Sequence, residues 1–311
     1  MDRELIKDRF FGCIFGQAIG DALGYGAEFK SKDVVKEIYP RKLKKYGDIK
    51  GWNPDIKPSE WTDDTEMALC IVKSIIADKG VNYNTIAKNF VDWVQWSPDV
   101  GGLIGDVLFQ RNYLNNPFET SKSVNENRAE GRNAGNGALM RTSVVGLLKD
   151  NVKEYAENIC KLTHYNDKCI ASAVIISEII HSFVYDGKEY SIEELIQMSD
   201  KYYPEAKDYI LLANEDDIEA LDLDDRITRG YTLKTLSGAI WTMKHAKDFK
   251  DGLVTIVNEG GDADTNAAVA CAVLGAKFGY SKIPEVYTIG LKWQKKLYEI
   301  ANKLFDTIMP E

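Results

Sequence analysis

Histidine is scarce in this chain, with three among 311 residues. That argues against the histidine-rich metal motifs common in binuclear enzymes acting on phosphorus esters. Cysteine is thin and dispersed: Cys13, Cys70, Cys160, Cys169 and Cys271 form no CxxC pair, and their number is odd. With no secretory signal ahead of them, they read as buried reduced thiols of a cytosolic protein. The first residues, Met-Asp-Arg-Glu-Leu-Ile-Lys-Asp-Arg, are too charged for a signal peptide. No uninterrupted apolar run reaches the roughly 18 residues that a membrane helix needs. Positive charge is in deficit: the net charge is −9 and the pI about 5.1. A general nucleic-acid or anionic-membrane binder would show a basic patch instead. A nucleotide-like ligand held by metals and backbone amides is still compatible with that balance. Only 8 prolines are present, and no Pro/Gly/Ser-rich linker divides the chain. The expectation is one domain over residues 1–311 and a monomer.

What is present is ample core material, 44% hydrophobic against 28% charged. Its periodicity is helical, and strand signals are few and short. Residues 5–24, 62–78 and 84–96 read as helices, and Thr62 is a plausible N-cap. Further helices are expected at 135–148, 152–163, 167–184, 192–203, 231–246, 250–258, 264–278 and 288–308. In the first, Gly12, Gly16 and Gly20 recur at i, i+4 and i+8. Each costs a helix about 1 kcal/mol relative to alanine, so the stripe points to close approach by another helix or a ligand. The 264–278 segment is alanine-rich and reads as a central helix packed on all sides. Two polar stretches interrupt this pattern. Residues 115–136 read as a long loop. Residues 204–230 hold the clusters Glu215-Asp216-Asp217 and Asp222 to Asp225, which read as solvated surface. They lack the glycine and terminal glutamate of a calcium loop.

Two distant segments look like halves of one metal site: Trp61-Thr62-Asp63-Asp64-Thr65 and Gly260-Gly261-Asp262-Ala263-Asp264-Thr265. Each sets acidic residues beside threonine at a helix start. Four carboxylates with adjoining hydroxyls form a hard-oxygen donor set, suited to Mg²⁺, Mn²⁺ or Ca²⁺ rather than zinc or copper. Two divalent cations would cancel the charge of four aspartates; without them several would have to protonate. Taken singly, each pair is also what a helix dipole favours at an N-terminus. Other single residues have equally plain readings. Glu28 follows a glycine-capped helix end, Asp99 sits in a turn after Pro98, and His164 follows Thr163 near a helix end. Asn136-Gly137-Ala138-Leu139-Met140-Arg141 opens a helix after a glycine-rich loop, where free N–H groups bind phosphate.

Together and in this order, GDALG with Glu28, WTDDT, DVG, NGALMR, TH and GGDADT resemble the ADP-ribosylglycohydrolase family from about residue 8 to 280. The resemblance implies an all-α, compact orthogonal helical bundle with a binuclear Mg²⁺ or Mn²⁺ centre. It implies Thr62, Asp63 and Asp64 on one metal, Asp262 and Thr265 on the other, and Asp264 bridging. Glu28 matches the family's acid that gates the site or handles protons, and Asp99 matches a second acid. Gly101, Gly102, the loop with Asn133, Gly135, Asn136 and Gly137, and His164 match positions lining an ADP-ribose cleft. Departures are Val144, where the family usually has proline, Cys271 for a common glycine, and Glu66 for a frequent glutamine; none is a proposed ligand.

The activity so implied is cleavage of the glycosidic bond between ADP-ribose and a protein side chain or small conjugate, reversing mono-ADP-ribosylation. Such cleavage passes through an oxocarbenium-like state that needs a positioned water and a proton for the leaving group. Glu28 or Asp99 would handle that proton, and Asp264 would act with them at the reacting centre. The rival readings are a binuclear phosphohydrolase, against which the lack of histidine counts, and a non-catalytic ADP-ribose-binding or crystallin-like protein, against which the full ligand set counts.

Overall fold

A computed structural model describes residues 2–50, 57–129 and 132–310. Its first helices are α1 (Arg3–Gly24), α2 (Lys32–Ile38), α3 (Asp63–Asp78), α4 (Tyr83–Val94) and α5 (Gly102–Leu108). Next come α6 (Pro117–Asn127), α7 (Leu139–Thr142), α8 (Val152–Lys161), α9 (Asp167–His181), α10 (Ile192–Ser199) and α11 (Ala206–Leu211). The last are α12 (Thr232–His245), α13 (Phe249–Val257), α14 (Ala263–Phe278), α15 (Glu285–Gly290) and α16 (Gln294–Ile308). Among the described residues there is no strand, only two isolated bridges, so the all-α expectation holds.

The centre of the fold is the pair α1 and α14. Every residue of α14 from Ala263 to Ala276 is buried. The glycine stripe of α1 is what lets the pair close. A Cβ built on Gly12, Gly16 or Gly20 would lie 2.1, 2.0 and 2.1 Å from the carbonyl oxygens of Gly275, Cys271 and Ala267. The approach is therefore backbone to backbone, and its partner is a helix. Cys271 meets Gly16 through its carbonyl, and its side chain is buried. All five cysteines are buried and unpaired, as their apolar settings imply.

Several boundaries differ from the sequence reading. Residues 115–136 are not one loop, because α6 occupies Pro117–Asn127. Its hidden face is polar (Thr120, Ser121, Asn125), and Asn125 donates to Ser121 O and Thr163 O, so no apolar period announced it. Glu130 and Gly131 of that stretch lie outside the described residues. The expected 135–148 helix is a single α-turn continued by a 3₁₀ segment, Ser143–Leu147. The expected 288–308 helix breaks between α15 and α16, at Trp293 with φ 58°. Helices α2, α5 and α11 are too short to show periodicity. Glu215, Asp216 and Asp217 are exposed as expected, while Asp224 and Asp225 are half-buried and accept from Lys32 N and Ile227 N.

One expectation on apolar length needs correction. Residues Asp167–Asp186, α9 with a π-helical last turn, form a 20-residue helix of mean hydropathy 1.4, long and apolar enough to cross a membrane. Its window is 78% buried in the protein, so the fold itself uses that apolar surface.

Candidate metal centre

The two acidic segments do meet. Asp63 and Asp64 open α3, and Asp262 and Asp264 open α14. Both helix starts aim their positive dipole ends at these carboxylates. Gly260 and Gly261 take φ of 73° and 69°, and a Cβ on Gly261 would lie 2.1 Å from Leu223 O. Only glycine suits that turn. The turn is also what carries Glu28 in. Phe29 N donates to Gly261 O at 2.6 Å and Gly261 N to Lys30 O at 2.7 Å, which fixes Glu28 beside the Asp262 segment. Carboxylate oxygens of Glu28, Asp262 and Asp264, all buried, lie within 4.8 Å of one another. Sequence reading gave Glu28 a proton-handling role; its position makes it a possible ligand as well.

Asp21 was not foreseen as a site residue. It is fully buried on α1, and its Oδ1 accepts Thr62 N at 2.9 Å and Thr62 Oγ1 at 2.8 Å. Its Oδ2 accepts Thr65 N at 3.0 Å and Thr65 Oγ1 at 2.6 Å. Thr62 occupies the N-cap position of α3 as expected, but contrary to expectation its side chain does not cap; the Asp21 carboxylate accepts Thr65 N instead. Because both hydroxyl protons go to Asp21, the oxygen lone pairs of Thr62 and Thr65 stay available. The signal for Asp21 was a lone acid inside an otherwise small and apolar helix.

On the opposite side, Asn136 Nδ2 donates to Asp262 Oδ2 at 2.7 Å and to Thr235 Oγ1 at 3.0 Å; Thr235 in turn donates to Asn266 Oδ1 at 2.7 Å. Asn136, assigned by resemblance to substrate binding, thus also positions a carboxylate.

The electrostatics are those of crowded carboxylates without counter-charge. Burial first, then Asp262 and Asp99, push Glu28 up to about 8, and Lys30 offsets a little. Burial raises Asp21 to about 7 against the opposing pull of its threonine bonds. Asp63, Asp64 and Asp264 are held well above the carboxylate range by desolvation and then by neighbouring carboxylates, Asp21 and Asp262 in each case, and Asp99 and Asp262 are also raised. Asp64 Oδ1 and Glu28 Oε2 are buried with no hydrogen-bond partner. A hard cation satisfies orphaned carboxylate oxygens and cancels their repulsion, so this donor set fits Mg²⁺ or Mn²⁺.

A pH effect follows. With divalent ions chelated, the native state holds protons that an unfolded chain releases from about pH 4 upward. These carboxyls therefore stabilise the chelated protein fully at low pH, and that contribution is lost as the pH rises through about 7 for Asp21 and about 8 for Glu28. The gap between chelated and Mg²⁺-saturated melting temperatures should be wider at about pH 8.5 than at about pH 5.5. Thermal melts at both values check this; an equal gap contradicts it.

The cluster is the floor of a cleft enclosing about 630 Å³, its open mouth included. Glu28, Asp63, Asp99, Asp262, Asp264 and Thr265 line it together with Gly101, Gly102, Gly135, Asn136, Gly137 and His164. Thr62 and Asp64 are buried beneath that surface. Asn133 is not brought to the wall: its amide turns to Asn125 O at 3.4 Å. Phe29, which sequence reading passed over, stands at the mouth under the Arg229 guanidinium, 4.9 Å from its ring centroid.

His164 has a definable tautomer. Arg141 Nη2 donates to Thr163 Oγ1 at 2.7 Å, so the Thr163 hydroxyl proton is free to go to His164 Nδ1 at 2.8 Å. Nε2 then carries the ring proton, on the side facing Gly135 and Gly137. Burial, with Arg141 and Arg128, keeps the ring neutral well below its usual range. The cleft thus holds neutral donors as well as carboxylates.

A model of the family described as ADP-ribosylglycohydrolase matches residues 2–311. An ADP-ribosylarginine hydrolase of Serratia proteamaculans is 28% identical, the match covering 96% of this chain and 79% of that one. The ADP-ribosyl-[dinitrogen reductase] glycohydrolase of Rhodospirillum rubrum is 27% identical over 90% of this chain and 88% of its own. A solved structure titled as an ADP-ribosylglycohydrolase-related protein complex superposes with a TM-score of 0.75 at 24% identity, covering 98% of this chain and 100% of that one, and supports the fold.

Proposed function

The chain belongs to the ADP-ribosylglycohydrolase family and is a hydrolase of glycosyl bonds; from that premise we propose that it frees ADP-ribose from a protein side chain or small conjugate, using Mg²⁺ or Mn²⁺ held in the acidic cluster. The observation that carries this reading is the buried acidic cluster, with orphaned carboxylate oxygens, in a cleft that also holds neutral donors. Phosphates are repelled by the acidic floor and favoured by neutral donors, so the diphosphate belongs at Gly101, Gly102, Gly137 and His164 Nε2–H. That orientation sets the distal ribose over the carboxylates.

In this reading Thr62, Asp63, Asp64, Asp262, Asp264 and Thr265 would hold the cations. Bound cations there supply Lewis acidity and cancel the charge of the floor. Asp21 keeps the Thr62 lone pairs turned toward the site, and Asn136 keeps Asp262 in place. Positioning of this kind replaces entropy otherwise lost in the transition state. A carboxyl among carboxylates, such as Glu28, holds a proton near neutrality and is suited to passing it to a leaving group or taking it from water. Asp99 faces the same space and shares the raised proton affinity.

Glu28→Gln should lower turnover by roughly 10²–10⁴-fold while the melting-temperature rise caused by Mg²⁺ remains. Loss of that rise would make Glu28 a ligand instead. The class itself is tested by incubating arginine-, serine- and acetyl-linked mono-ADP-ribosylated substrates with Mg²⁺, Mn²⁺ or chelator. Metal-dependent release of ADP-ribose from one linkage supports the reading and names the acceptor. Release of AMP would mean phosphohydrolase chemistry, and binding of ADP-ribose without any release would count against catalysis on these linkages.

A further inference from the structure

Four of the chain's six tryptophans, Trp61, Trp93, Trp96 and Trp293, line a second pocket enclosing about 690 Å³, completed by Leu69, Cys70, Glu66, Lys73 and Lys296. It shares no lining residue with the cleft. Trp93 is buried, and its Nε1 donates to Glu66 Oε2 at 2.7 Å. Trp61 and Trp293 stand with ring centroids 5.1 Å apart at 59°. Trp96 and Trp293 are 61% and 43% exposed, a large apolar area to leave in water.

The wall is held at a backbone cost. Trp293 and Ser59 both take left-handed conformations, φ 58° and 75°, and Lys292 N donates to Ser59 O at 3.0 Å between them. Non-glycine residues in that region cost about 1–3 kcal/mol each and cluster at ligand sites. Lys73 and Lys296 are exposed and form no ion pair among the described residues. Glu66 Oε1 accepts no hydrogen bond among the described residues, Oε2 being engaged by Trp93 and Ser97.

We propose that this pocket is a second ligand site, for a purine nucleotide, with the base among the tryptophans and the phosphate at Lys73 and Lys296. Stacking on indole suits any base, and two ammonium groups exclude a purely cationic guest. The Glu66 carboxylate selects guanine. It accepts from the ring N–H and exocyclic amine that guanine places side by side, whereas adenine offers an acceptor nitrogen there. The pocket touches the catalytic machinery on two sides. Trp61 directly precedes Thr62, and the Ser97 hydroxyl, 3.5 Å from Glu66 Oε2, gives its proton to Asp99 O at 2.8 Å.

The test is a calorimetric titration of the full chain with GMP, AMP and guanosine in Mg²⁺, with and without saturating ADP-ribose to fill the cleft. GMP should bind saturably below about 1 mM, and more tightly than either AMP or guanosine. Trp96→Ala should weaken GMP roughly five- to hundredfold. Lys73→Glu with Lys296→Glu should abolish the advantage of GMP over guanosine, and Glu66→Gln its advantage over AMP. These side chains are half-buried or exposed, so the variants should fold, and their melting temperatures check that they do. Absence of saturable binding, competition by ADP-ribose, or unchanged affinity in folded variants would each overturn the proposal.

Discussion

Asp264→Ala is expected to lower metal-dependent ADP-ribose release by about 10³-fold or more and to remove most of the stabilisation that Mg²⁺ confers. The reason is position. Asp264 is buried at the start of α14, and its carboxylate lies within 4.8 Å of those of Glu28 and Asp262. After burial, Glu28, Asp262, Asp64 and Asp21 all act on its carboxyl. The same substitution removes one of several buried like charges. In chelator, the variant should therefore melt above the wild type at about pH 8, because its neighbours no longer resist ionisation. Activity and metal-free stability thus move in opposite directions. Calorimetry with Mn²⁺ completes the test: a variant that still binds two ions at wild-type affinity would remove the bridging role.

Gly16→Val is expected to cost at least about 3 kcal/mol, enough to leave much of the protein unfolded or insoluble at 37 °C. Position 16 has no space for any side chain. Its Cβ would stand 2.0 Å from Cys271 O, and the obstacle is backbone of a fully buried helix that cannot swing aside. Relief requires moving α1 off α14. That motion would also shift Asp21, on α1, away from Thr62 and Thr65, so any folded remnant should bind Mg²⁺ poorly. Gly80→Ala is the control: nothing lies within 4 Å of a Cβ there, and its effect should stay within about 0.5 kcal/mol. Denaturant melts of both variants decide the matter; a Gly16→Val protein of near-native stability would show that the helix pair is less close than its geometry states.

Much of the centre was legible because it is local. The acids Asp63, Asp64, Asp262 and Asp264 sit next to the residues that start their helices, and Gly260-Gly261 announces the turn that aims the second pair. The glycine stripe of α1 and the alanines of α14 each advertise close packing, although nothing in the chain says that they pack on one another. Other features are not local and left no pattern. Helix α6 hides a polar face, so its signal is hydrogen bonding from Asn125 rather than apolar spacing. The 3₁₀ continuation after α7 has helical periodicity in sequence but a tighter backbone. Asn133 belongs to the loop that reaches the cleft, yet its amide turns away to Asn125.

By itself, then, the sequence determined the all-α architecture, the family and the hard-oxygen character of the centre, because helix periodicity, caps and ligand chemistry are properties of residues a few positions apart. Tertiary structure alone decided that Asp21 anchors both threonines, that Asn136 clamps Asp262, that Glu28 lies within ligand distance of the aspartates, and that four tryptophans from three regions of the chain share a pocket. Each of these joins side chains from separate helices, and their meeting depends on how the helices pack, which no short stretch of sequence encodes.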